Sequence, residues 1–142
     1  MRSVTSSLVA AAAVLFVSGQ AMAHHSFAAE FNADQKVTLT GIVTKVQWTN
    51  PHVWFYVNVK DKDTGEVKNY GMEMGAPHLL QRRGWRRETL KIGTEVTVNG
   101  FLARNGSNKV SARSVTLTAT GSRPGQTLDA ASSKDNNQTA VN

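Results

Sequence analysis

TNPHVWFYVNVKDKDTGEVKNYGMEM, residues 49–74, decides the fold. Val53, Phe55, Val57 and Val59 alternate with Trp54, Tyr56 and Asn58, the period-two pattern of a strand with one buried face. The first set reads as core-facing. Asp61 to Glu66 is polar and carries a glycine, which marks a hairpin connection, and Val67 to Met74 returns as an antiparallel partner. Thr49-Asn50-Pro51 has turn chemistry and separates this hairpin from what precedes it.

Working outward, Lys36 to Trp48 reads as a long first strand with Val37 and Leu39 on one face and Ile42, Val46 and Trp48 on the opposite parity. Gly41 stands at that switch, where a bulge or bend is expected. After Met74, Gly75-Ala76-Pro77 ends the strand, and Pro77 suits the first position of a short helix running through Leu79 and Leu80 to Gly84. Val96 to Ala103 and Val110 to Thr118, joined by Asn105-Gly106-Ser107-Asn108, form a second hairpin. Three meandering strands, a helix and a hairpin give an all-β fold, a small five-stranded antiparallel barrel of the oligonucleotide/oligosaccharide-binding (OB) type with one short helix between strands 3 and 4. An open sheet or sandwich with a helix on one edge is the rival with the same strand count. Ile42, Val46, Val57, Val96 and Val98 are the expected core positions.

The ends read differently. Arg2, the apolar run Leu8–Val17 and Ala21-Met22-Ala23 have the order of a cleaved signal peptide over residues 1–23, and ten apolar residues fall short of the roughly 20 that span a bilayer. The expectation is export to the periplasm, a mature chain beginning at His24, and no transmembrane segment after cleavage. The domain then covers residues 24–118, with an N-terminal arm over 24–36. Residues 119–142 hold almost no large apolar side chain and read as a disordered tail.

Cysteine is absent, which excludes disulfides, thiolate metal sites and cysteine nucleophiles. The net charge is +6, concentrated in Arg82, Arg83, Arg86 and Arg87. In an exported chain this favours anionic lipid, lipopolysaccharide or an acidic protein over nucleic acid, or simply a solvated face. No glycine-framed nucleophile, paired carboxylates or phosphate-cradling loop is present, so the chain reads as a binding module more than an enzyme.

HHSFAAEF at His24–Phe31, WTNPHVW at Trp48–Trp54 and RRGW at Arg82–Trp85 resemble a bacterial exported family whose activity is unassigned. The resemblance implies export, a small β domain spanning His24 to Leu117, and attention to the residues around His24 and His52.

An N-terminal histidine offers its amine, with a reference pKa of about 7.7–8.0, and its ring nitrogen to one metal ion. His25 adds an imidazole, and His52, beside Pro51 in the loop before the second strand, is the expected donor from the fold, with His78 second. Such nitrogen-rich sites bind Cu(II) most tightly among divalent first-row metals. The expected function is a periplasmic binding or accessory protein taking Cu(II) through His24, His25 and His52, with a copper-dependent oxidative enzyme as the variant that shares the site. Met72 and Met74 share one strand face and read either as Cu(I) ligands or as core filling, with Glu73 pointing the other way. A different class of reading is an envelope interaction module whose Trp48, Asn50, Trp54, Tyr56, Arg83 and Trp85 bind glycan, anionic lipid or a protein partner.

Overall fold

A computed structural model describes residues 27–121 and 124–132. A single turn of helix, α1 (Phe27–Glu30), leads into the long strand β1 (Phe31–Gln47). There follow β2 (Trp54–Lys60), β3 (Val67–Glu73), helix α2 (Pro77–Arg82), β4 (Glu95–Ala103), β5 (Lys109–Leu117) and β6 (Gln126–Asp129). The sheet order is β3-β2-β1-β4-β5-β6, and a further pairing of β3 with β5 closes the first five strands into a ring. The fold is therefore all-β with the short helix between strands 3 and 4, as the sequence implies. Four seams of the ring are antiparallel, whereas the closing β3–β5 seam is parallel, with Gly71, Met72 and Glu73 opposite Lys109, Val110 and Ser111. Parity within single strands carries no sign of that seam, because it joins strands distant in the chain.

β1 serves two neighbours. Val37 to Ile42 pair with β4, and Ile42 to Gln47 pair with β2, so Ile42 is flanked on both sides. At Gly41 a Cβ would collide with the Asn58 carbonyl, so glycine permits the close approach of β1 and β2 there. The parity switch lies elsewhere: the register shifts between Val43 and Lys45. Val37, Leu39 and Val43 thus face inward before the shift, and Val46 and Trp48 after it. Ile42 corrects the sequence reading, for it points outward and is 42% exposed. Val57, Val96 and Val98 are buried as expected, and Val46 packs against the core from a half-buried position.

The ring encloses Val43, Phe55, Val57, Met72, Val98 and Val115. α2 plugs one end with Leu80, and Gly84 at φ 92° turns the chain so that Trp85 enters the same core. Met72 and Met74 are fully buried, which assigns them to core filling and removes them as Cu(I) ligands.

The region read as a structureless tail needs the second correction. β6 pairs with β5 over Ser114–Leu117, and Leu128, Ala130 and Ala131 are buried. Local composition hides this strand, because its anchors come from afar: the Trp85 indole Nε1–H donates to Asp129 O at 2.7 Å, and the Gly75 amide to Ala130 O at 3.0 Å. Residues 1–26, including the proposed leader, lie outside the described residues.

Candidate functional site

The β2–β3 register sets Trp54 opposite Glu73, and His52 shares the outward parity of Trp54 one diagonal step away. Backbone bonds from the Val53 amide to Gly75 O and from the Met74 amide to Val53 O hold the chain at His52 against the end of β3. The consequence is an ion pair between His52 Nδ1 and Glu73 Oε1. The imidazole is 39% exposed and the Glu73 side chain 8%. Glu73 Oε2 is buried without a hydrogen-bond partner among the described residues.

Burial pushes the Glu73 carboxyl above the ordinary carboxylate range. The charge and hydrogen bond of His52 pull it back, Glu30 adds to the rise, and Lys109 opposes it. With Nδ1 committed to the carboxylate, Nε2 is the ring nitrogen left for a ligand, the arrangement in which a carboxylate behind the ring fixes its orientation. Glu73 is absent from the sequence-derived site, although the hairpin register brings it to His52: pointing away from Met72 and Met74 is what points it there.

The N-terminal arm packs on residues of β4 and β5 and on the turn after β4. Phe27 stacks on Phe31 and meets Phe101 edge-on, with ring centroids 5.8 and 5.4 Å apart, and the Arg113 guanidinium lies over the Phe27 ring. The Arg104 Nε–H donates to Ala28 O, and the Arg104 amide to Glu30 O. The arm is thus docked from Phe27 onward. His24 and His25 lie outside the described residues.

Among the described residues no three His, Cys, Asp or Glu side chains converge as a metal site. His78 is exposed in the first turn of α2.

The other expected site residues divide. Trp54 and Tyr56 are half-buried on the outer face of β2, and Asn50 is exposed. Trp48 leans on the core, and its carbonyl accepts a bond from Arg87. Trp85 and Arg83 correct the sequence reading. Trp85 is wholly buried and offers no ligand face, and Arg83 binds Ala131 O and Asp129, so both hold the end of β6 and the chain just after it. The aromatic surface is instead flanked by lysines: Lys45 Nζ lies 5.3 Å from the Tyr56 ring centroid and Lys109 Nζ 6.0 Å from that of Trp54.

The model of a family of unknown function, DUF6152, matches residues 11–112, which include the arm, His52 and Glu73. The chain belongs to this family. No curated protein matches it. Among solved structures, the mitochondrial single-stranded DNA binding protein Rim1 from S. cerevisiae is similar at 12% identity and a TM-score of 0.48, over 61% of this chain and 96% of that one. Among the described residues of the DUF6152 chain, no helix is long and apolar enough to cross a membrane.

Proposed function

We propose that this DUF6152 protein is an exported binding or accessory protein that takes one Cu(II) ion between His52 and its mature N-terminus. The observation that carries the reading is the His52–Glu73 pair, which leaves one imidazole nitrogen of a half-exposed ring to a ligand. Glu73 holds Nδ1, so Nε2 is the donor that His52 presents. The His24 amine, the His24 ring and the His25 ring supply the remaining nitrogens. His24 lies three steps along the chain before docked Phe27, a reach of roughly 10 Å when extended. Copper suits this set because nitrogen donors favour Cu(II) over the other divalent first-row ions. Export to the periplasm rests on the order of Arg2, the apolar run and Ala21-Met22-Ala23. Intact mass of envelope fractions tests it, with His24 as the expected first residue.

The metal site is tested by Cu(II) titration of stripped protein beginning at His24, followed by electron paramagnetic resonance. One equivalent with nitrogen hyperfine structure is expected. His52→Ala is expected to weaken it, and one extra residue before His24 to weaken it with every side chain retained. Affinity unchanged by both alterations overturns the proposal. Turnover of oxygen in the presence of a reductant separates the enzyme variant from the carrier.

A further inference from the structure

The outer face of β1–β2–β3 carries a second feature beside the His52–Glu73 pair. One row across the sheet reads Lys45, Tyr56, Gly71, Lys109, each paired to the next. Trp54 is two residues from Tyr56 on the same face of β2. Gly71 is the decisive position. A Cβ there would touch ring edges, with Tyr56 Cε1 at 3.3 Å and Trp54 Cζ3 at 3.5 Å from it. Both rings therefore lean toward Gly71, and a lysine ammonium lies over each of them. The Tyr56 hydroxyl is tethered to Gln47 Oε1 at 3.0 Å, which fixes its ring further. Lys45 and Lys109, both exposed, carry one positive charge to either side.

We propose that this strip is a binding platform for an acidic saccharide. Flat, immobilised aromatic faces stack on the C–H face of a pyranose at little entropic cost. Each lysine ammonium lies over a ring on a flexible stem, so a sugar that takes its place on the ring face meets the cation with its carboxylate without moving the backbone. The charge density also selects the occupant. Two lysines about the width of the sheet apart, with the Glu73 carboxyl next to Trp54 in the neighbouring row, suit a chain of widely spaced carboxylates better than a nucleic acid with a phosphate on every unit. The platform needs no metal, so it stands or falls apart from the copper site.

The test uses protein kept in EDTA, which removes copper from the result. Isothermal titration is run with an alginate hexasaccharide, with neutral cellohexaose and with a dodecamer of deoxythymidylate. Alginate is expected to bind, more weakly as salt rises, and cellohexaose at least about tenfold more weakly. Trp54→Ala and the double change Lys45→Glu with Lys109→Glu are each expected to lower alginate affinity about tenfold. Circular dichroism checks each fold, and the lysine pair, being on the surface, keeps the test open should Trp54→Ala fail to fold. Equal binding of the neutral sugar, stronger binding of the deoxythymidylate, no alginate binding, or an affinity indifferent to the charge reversal overturns the proposal.

Discussion

Glu73 shows how one side chain acquires a role from its neighbours. Its carboxyl is buried, yet one oxygen meets His52 and the other has no hydrogen-bond partner among the described residues. If Glu73 orients His52 toward a metal, Glu73→Ala lowers Cu(II) affinity about 10–100-fold, the usual effect of removing a ring-orienting partner. Glu73→Gln restores much of it, because an amide oxygen still accepts from Nδ1–H. Equal losses in both variants would assign Glu73 a purely electrostatic part. Asp61 is the opposite case, an exposed carboxylate that organises a loop. Its Oδ1 accepts from the Thr64 and Asp63 amides at 2.8 and 2.9 Å and from the Thr64 hydroxyl at 3.0 Å, and these bonds, the Thr64 amide foremost, hold its pKa below the ordinary value. A carboxylate with a depressed folded pKa stabilises the fold above its unfolded pKa, near 3.9, and loses that contribution as pH falls through the folded value. Denaturation midpoints of the protein and of Asp61→Ala are accordingly expected to differ at neutral pH and to converge in acid. A gap that widened on acidification would contradict this assignment.

At the scale of elements, β6 tests how far local pattern can be trusted. Leu128 is its buried anchor, and Leu128→Ala is expected to cost about 2–5 kcal/mol in denaturant titration with an unchanged slope. A loss below about 0.5 kcal/mol, the level of an ordinary surface change, would mean that β6 contributes no packing. The sequence conceals this strand because a four-residue segment with one leucine has no period to read. Its partners, Trp85, Arg83 and Gly75, lie some 40 to 55 residues earlier in the chain. The same physics misdirects the reading of Arg83 and Trp85: a basic-aromatic pair looks like a ligand face until the segment that covers it is known. β1 through β5 are legible because Val, Phe and Thr alternate against glycine-marked turns, and that alternation survives into the burial pattern of β2. Within β1 the glycine marks a close approach, while the bulge two residues later has no residue signature. Half of the candidate site is legible too. His52 stands out by its neighbours, whereas Glu73 emerges only when register joins two strands.

The whole molecule depends on the seam that closes the ring. β3 and β5 meet over three residue pairs, with Met72 and Val110 fully buried between them and the Gly71 amide bonded to Asn108 O at 2.9 Å. The same seam carries Lys109 to the aromatic strip and holds Glu73 below His52, so stability and candidate sites share one set of contacts. A ring with a continuous core through its closing seam opens only when the core is lost, because parting β3 from β5 alone exposes Met72 and Val110 and regains little chain entropy. The Gly71 amide is therefore expected to exchange with solvent at the free energy of global unfolding. The Gly65 amide, bonded to Asp61 O in the exposed hairpin loop, has no apolar burial behind it and is expected to exchange by local opening, far faster. Native-state hydrogen exchange across low denaturant distinguishes the two: Gly71 should follow the full denaturant dependence of unfolding and Gly65 almost none. Exchange of Gly71 as fast and as denaturant-insensitive as that of Gly65 would mean that the ring parts along this seam while the rest stays folded, and the pairing that brings Lys109 beside Trp54 would then be transient.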